Sequence, residues 1–210
     1  MSPTSKPWVG HQILPLVVVD EAKNVLPVIE ALAHGGLSVI EIALRTPAAL
    51  HAIEMAANHG NVTVAAGTVT SADHVKHAID AGASFGLAPS SSLSVMEACQ
   101  AANWPFIPGI ATVSEAHSAR DKGFEFQKAY PADLLGAEKF ARSIRHTLPE
   151  IMLLPSGGVT QSTMEAYLRE PNVFGVSGSW IAPRDLIANG DFGEISRRAR
   201  EASETVKSIG

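Results

Sequence analysis

Short apolar runs alternate with stretches of helical spacing along the whole chain. The runs Leu16–Val19, Val39–Leu44, Val62–Ala66, Phe85–Ala88, Phe106–Ile107, Phe124–Tyr130, Ile151–Leu154 and Val173–Val176 predict eight strands. Between them Val25, Val28, Ile29 and Leu32 recur at helical spacing, as do Leu50, Ile53 and Ala57, then Phe140, Ile144 and Leu148, then Met164, Tyr167 and Leu168. Gly36, Gly60, Gly82, Asn103 and Gly123 each precede a run by a few residues, at intervals of 24, 22, 21 and 20. Glycine or asparagine is what a left-handed helix C-terminus requires. The opposite ends carry N-cap residues: Thr46 before Pro47, Thr70 or Ser71, and Thr112-Val-Ser-Glu115 with capping-box spacing. Pro27 is expected in the first turn of its helix.

Strands this apolar are buried on both faces, which predicts an α/β fold with a parallel sheet, a single (β/α)₈ TIM barrel. A doubly wound sheet is the alternative, but no Gly-x-Gly-x-x-Gly follows the first strand. No Pro/Gly/Ser linker divides the chain, so residues 1–210 are read as one domain, with an N-terminal extension 1–12 and a C-terminal helix at about 191–208.

Composition narrows the partners. The net charge is -5, and Arg197, Arg198 and Arg200 are flanked by Glu194, Glu201 and Glu204, a solvated helix face rather than a nucleic-acid surface. Ile13–Val19 is too short to span a bilayer and runs into Asp20-Glu21 rather than a cleavage site, so it reads as a core strand. Cys99 is the single cysteine. A chain with no intramolecular disulfide and no export signal is expected in the cytoplasm, away from membranes.

In a parallel barrel, chemistry gathers where strands end. Those positions are Glu41 and Arg45, Gly67-Thr68, Pro89-Ser90, Lys128, Ser156-Gly-Gly158 and Ser177-Gly-Ser179. Period-2 alternation puts Phe124, Phe126, Lys128 and Tyr130 on one face. Burial of a lysine favours the neutral amine, which attacks a carbonyl carbon; the competing reading leaves Lys128 in water on a sheet edge. Val39, Glu41, Ala43 and Arg45 share a face opposite Ile40, Ile42 and Leu44, which points Glu41 inward as a proton-transfer group or as the partner of Arg45 or Lys128. An inward Lys128 turns Glu125 and Gln127 toward the helix layer, which the sequence does not explain. The two Gly-Ser loops after strands 7 and 8 suit a phosphate held by backbone N–H groups. Of the eight histidines none lies at a strand end, and seven lie on or beside predicted helices, so no metal and no cofactor are expected.

Ile40-Glu-Ile-Ala-Leu-Arg-Thr46, Ala66-Gly-Thr-Val69, Phe106-Ile-Pro-Gly-Ile-Ala-Thr-Val-Ser-Glu115, Lys128-Ala-Tyr-Pro-Ala132, Pro155-Ser-Gly-Gly-Val159 and Ser177-Gly-Ser-Trp-Ile-Ala-Pro183 resemble the family of 2-keto-3-deoxy-6-phosphogluconate (KDPG) aldolase, also active as 4-hydroxy-2-oxoglutarate (KHG) aldolase in many members. The resemblance implies a metal-free, class I, homotrimeric (β/α)₈ lyase of the Entner-Doudoroff pathway acting on a phosphorylated 2-keto acid. By the same resemblance Lys128 is the Schiff-base lysine and Glu41 the general acid/base. Arg45 and Thr68 match the carboxylate-binding positions, Gly157, Gly158 and Ser179 the phosphate-binding ones, and Pro89, Tyr130 and Ser156 the pocket.

The family's Lys-Phe-Phe-Pro reads Lys128-Ala-Tyr-Pro131 here, Ser-Pro-Gly reads Ala88-Pro-Ser90, Thr-Gly-Gly reads Ser156-Gly-Gly158, and Gly-Gly-Ser-Trp reads Ser177-Gly-Ser-Trp180. The related phosphogalactonate aldolases usually carry Asn where Arg45 stands, which favours the gluconate branch. A phosphosugar isomerase or epimerase, or a non-catalytic phosphate-binding barrel, are the rival readings.

Overall fold

The structure, a computed structural model, describes residues 6–209. Its strands are β1 (Ile13–Val17), β2 (Val39–Ala43), β3 (Thr63–Gly67), β4 (Phe85–Leu87), β5 (Phe106–Ile107), β6 (Gly109–Ile110), β7 (Phe126–Ala129), β8 (Met152–Pro155) and β9 (Val176–Gly178). Helices α1 (Val25–His34), α2 (Ala49–His59), α3 (Ala72–Asp80), α4 (Leu93–Ala101) and α5 (Val113–Asp121) follow β1 to β4 and β6 in turn. Helices α6 (Ala132–Leu135) and α7 (Ala137–Thr147) follow β7, α8 (Met164–Leu168) follows β8, and α9 (Arg184–Asn189) and α10 (Phe192–Ile209) follow β9.

Every ladder is parallel. Six strands form one sheet in the order β5-β4-β3-β2-β1-β9, and three form another in the order β6-β7-β8. Only Pro108 separates β5 from β6, and it has no N–H for a ladder; its carbonyl still accepts from Lys128 N at 2.8 Å. At the other side, the bridges Leu153↔Val173 and Ser156↔Ser177 join the β8 segment to the β9 segment.

Alternation along the strands divides the apolar residues into two cores. Ile13, Val17, Ile40, Ile42, Val64, Ala66, Ala129 and Leu153 pack against helices. Leu14, Val39, Ala65, Phe85, Leu87, Ile107 and Leu154 pack against one another and against Trp8. Each fully buried large side chain among them contributes about 1.5–3 kcal/mol. Trp8 is inserted at the N-terminal ends of the strands, with its ring 5.3 Å from that of Phe85 and 5.5 Å from that of Phe126. Phe126 in turn meets Phe174 edge-on at 5.0 Å, and Lys6 lies over its face at 4.4 Å.

Local signals and structure agree at most helix ends; Thr46 is an exception, since α2 begins at Ala49 without a side-chain cap and the Thr46 hydroxyl donates to Val19 O at 2.5 Å. Gly36, Gly60, Gly82, Asn103 and Gly123 all have positive φ. Ser71 accepts from His74 N at 3.1 Å, Thr112 accepts from Glu115 N at 3.2 Å, and Glu115 returns to Ala111 N at 2.8 Å. Pro27 sits in the first turn of α1, as its ring demands.

Strand limits shift where pairing with neighbouring strands, rather than the apolar run itself, sets them. The first strand occupies Ile13–Val17 rather than Leu16–Val19, because its partners Ser177 and Glu41 fix its register. The last begins at Val176, where pairing with β1 starts, and Val173 contributes a lone bridge. Strand β7 begins at Phe126, so Phe124 does not share the interior face expected for it. Phe124 packs in the helix layer, edge-on to Phe106 at 6.0 Å.

Candidate active site

Glu41 lies at the middle of β2, with no exposure to solvent, and its neighbours Ile40 and Ile42 face the helices. Lys128 is on β7 with 4% exposure, and its Nζ donates to Glu41 Oε1 at 2.9 Å. The other oxygen, Oε2, accepts from Ser177 Oγ at 2.8 Å, and Ser177 is also fully buried. The ion pair is thus desolvated, and each carboxylate oxygen has its own donor. A buried charge is tolerated only with such partners.

Two features of the backbone make room for this arrangement. Gly67, at the end of β3, lies beneath the Glu41 side chain; a Cβ there would stand 2.5 Å from Oε1 and 2.8 Å from Cγ. Gln127, beside Lys128 but facing outward, donates to Ala116 O at 3.0 Å and Phe124 O at 2.8 Å. Its contact with α5 explains how a polar residue fits the helix layer while Lys128 turns inward. Glu125 escapes the same problem by being exposed, within 3.5 Å of Lys6.

Above the pair is an open cleft of about 360 Å³, bounded by Leu16, Arg45, Tyr130, Ser156–Thr160, Gly178–Trp180 and Pro183. Of the residues singled out from sequence, Arg45, Tyr130, Ser156, Gly157, Gly158 and Ser179 meet here. Tyr130 connects the levels, with its ring 5.9 Å from Lys128 Nζ. Arg45 Nε donates to Thr68 Oγ1 at 2.9 Å. Thr68 has φ of 59°, a left-handed conformation that costs a β-branched residue on the order of 1–3 kcal/mol and aims its hydroxyl at the guanidinium. Pro89 stands apart from the cleft, against Gly109, where a Cβ would meet its carbonyl oxygen at 2.5 Å.

Gly157 and Gly158 have φ of 87° and 73°, so their N–H groups belong to a turn that only glycine adopts without strain. A Cβ at Gly157 would press on the Tyr130 ring at 3.0 Å, and one at Gly158 would overlap the Asp133 side chain. Across the cleft, Gly178 admits the Trp180 ring, whose Nε1 donates to Gln161 Oε1 at 3.4 Å. Arg198 of α10 donates to the Trp180 carbonyl at 2.8 Å and to Glu194 at 2.7 Å, bracing the loop that carries Ser179. Hydrogen bonds from Arg197, then Arg198, hold the Glu194 carboxyl down at about 2.

Sequence reasoning left Ser177 in the phosphate-type loop. Its contact with Glu41 spans 136 positions and follows from register, since β1 pairs Leu14 with Ser177 and Leu16 with Glu41.

A buried amine against a buried carboxylate, below a cleft with an arginine and two glycine turns, suits covalent attack on a keto acid carrying an anionic tail. Comparison with known proteins agrees. The sequence model of the KDPG and KHG aldolase family matches residues 9–198. A 2-dehydro-3-deoxy-phosphogluconate aldolase of Pseudoalteromonas atlantica is 34% identical over 191 residues, 90% of this chain and 89% of that protein. The crystal structure of KDPG aldolase from Legionella pneumophila, with pyruvate captured as a covalent carbinolamine, superimposes with a TM-score of 0.91 at 32% identity, covering 96% of this chain and 98% of that one. The enzyme of Zymomonas mobilis ZM4 with 3-phosphoglycerate superimposes with a TM-score of 0.89 at 29% identity, covering 97% and 96%.

Proposed function

The chain belongs to the KDPG and KHG aldolase family and is a class I aldolase, a carbon–carbon lyase; from that footing we propose that it cleaves KDPG to pyruvate and glyceraldehyde 3-phosphate, with Lys128 as the Schiff-base nucleophile. The observation that carries the assignment is the buried Lys128–Glu41 pair at 2.9 Å, under the cleft that Tyr130 joins to it. The same reading extends to cleavage of 4-hydroxy-2-oxoglutarate to pyruvate and glyoxylate.

The chemistry follows from the contacts. Glu41 accepts a proton from Lys128, and the freed amine attacks C2 of the keto acid. The same carboxyl returns a proton to the C2 oxygen and then assists loss of water, leaving a protonated imine. That imine withdraws electrons from the C3–C4 bond; removal of the C4 hydroxyl proton breaks the bond and releases the aldehyde. The enamine left on Lys128 is protonated at C3, and water attacks C2 to release pyruvate. Arg45, with Thr68 holding its Nε, clamps the substrate carboxylate so that C2 faces Nζ. The N–H groups at Gly157 and Gly158, with the Ser179 hydroxyl, receive the phosphate; Tyr130 and Ser156 form the wall between the two ends, and Pro89 lies outside it.

The run of β5 into β6 through Pro108, the β6–β7 ladder and the Ser156↔Ser177 bridge support a closed eight-stranded (β/α)₈ barrel, with residues 6–209 as a single unit. Among the described residues no helix is long and apolar enough to cross a membrane. On the family resemblance alone, we further propose a cytoplasmic homotrimer needing neither metal nor cofactor.

Incubation with pyruvate and borohydride tests the assignment. A mass gain on Lys128, absent in Lys128→Ala, is expected together with pyruvate release from KDPG. A folded protein that turns over KDPG without fixing the label on Lys128 would remove the nucleophile assigned here.

A further inference from the structure

We propose that Ser177 is a positioning residue for the acid–base carboxylate, deciding which of its two oxygens carries the reacting proton. The proposal rests on Glu41 being the acid/base group. Lys128 Nζ and Ser177 Oγ approach Glu41 from opposite sides, at 2.9 Å to Oε1 and 2.8 Å to Oε2. All three side chains have 4% exposure or less, so bulk water does not compete for either oxygen.

Two equivalent carboxyl oxygens would share a proton equally, and the terminal torsion of a glutamate is broad and roughly two-fold. The Ser177 hydroxyl removes that equivalence. Because Oγ–H donates to Oε2, the proton exchanged during amine attack, dehydration and enamine protonation sits on Oε1, the oxygen next to Nζ. The hydrogen bond persists whether or not Oε1 is protonated, so the carboxyl keeps one orientation through every step. A donated hydrogen bond also favours the ionised carboxylate over the acid.

Ser177 is placed for this by its strand. The Leu14↔Ser177 and Leu16↔Glu41 pairings bring β9 and β2 to either side of β1, and the Ser156↔Ser177 bridge pins the same residue from the β8 side. Ser177 is absent from the lining of the cleft, whereas its neighbours Gly178 and Ser179 are part of it. Like Lys128 and Glu41 it lies beneath that lining, and its hydroxyl is committed to Glu41 Oε2.

The test is steady-state pyruvate release for Ser177→Ala, Ser177→Gly and Ser177→Thr across pH, with deuterium exchange into the methyl group of pyruvate as a measure of enamine protonation. In the alanine and glycine variants kcat and the exchange rate should fall together by roughly tenfold, as expected for loss of one hydrogen bond to a charged group. KM should stay unchanged, and the acidic limb of kcat/KM should move to higher pH. Threonine should restore both rates and the limb. An unmoved pH profile with KM and kcat altered alike would show Ser177 to be only a packing residue and would overturn the proposal. If alanine does not fold, the glycine variant, which only removes atoms, decides by the same readouts. Glu41→Gln run in parallel separates the two claims: full activity there refutes the acid–base reading, whereas an impaired Glu41→Gln beside an unaffected Ser177→Gly refutes the role of Ser177 alone.

Discussion

Replacement of Gly67 by alanine should disable the active site although every reactive side chain is retained. An alanine methyl would stand 2.5 Å from Glu41 Oε1, 2.8 Å from Cγ and 3.0 Å from Cδ. Ordinary contacts between such atoms begin at about 3.5 Å, so the carboxylate must retreat by about 1 Å. It has nowhere to retreat without stretching its bonds to Lys128 and Ser177, now 2.9 and 2.8 Å, beyond hydrogen-bonding range. Gly67 is outside the positive-φ set, so its backbone accepts alanine and the effect is steric alone. Overpacking should lower stability by about 1–3 kcal/mol. A misplacement near 1 Å should lower kcat/KM about 100-fold, equivalent to about 2.7 kcal/mol of transition-state stabilisation. Coupled pyruvate detection reads the rate, a thermal melt reads the fold, and borohydride trapping shows whether Lys128 still forms its adduct, more slowly. A Gly67→Ala enzyme within threefold of the parent in kcat/KM would refute the argument that Glu41 must occupy this position.

Lys128→Ala should abolish cleavage and also destabilise, because Glu41 is left buried with Ser177 as its remaining donor; removing one partner of a buried pair costs about 3–5 kcal/mol. Glu41→Gln in the same chain should recover part of the loss in urea titrations, because it removes the unpaired buried charge; no recovery would contradict this. Glu194, held down at about 2 by its arginines, contributes stability that is present above the unfolded carboxyl value of about 4.3 and is lost as pH falls toward 2. Glu194→Gln should flatten the decline of Tm over that acid window, and an unchanged slope would count against the arginine clamp. Burial pushes the Cys99 thiol up to about 12. Native protein at pH 8 should therefore resist iodoacetamide that labels it readily in urea, and rapid native labelling would show the thiol to be accessible.

Much of this architecture is legible locally. Helix stops at Gly60 or Asn103 and the Thr112 cap are decided within a few residues, and alternation along β2 is enough to turn Glu41 inward. What was not legible depends on register between distant strands. The run Ile13–Val19, even with Pro15 inside it, fits several strand limits, and only its partners select one. Phe124 obeys period-2 alternation on paper, yet β7 starts two residues later, so it joins the helix layer. Gln127 looked misplaced until α5 supplied a carbonyl for it. The left-handed Thr68 and the Ser177–Glu41 contact leave no trace in the sequence around them, since each answers to a residue on another strand.

The Trp8 stopper gives the molecule a polarity that is useful at the bench. Trp8 blocks the end of the strands where Phe85 and Phe126 begin, while the cleft opens at the other end. Its neighbour Val9 is 65% exposed. A single attachment point installed at Val9 would therefore tether the protein to a bead or electrode with its mouth turned outward. Immobilised catalyst coupled this way should keep its apparent KM, whereas random coupling through surface lysines leaves some mouths facing the support.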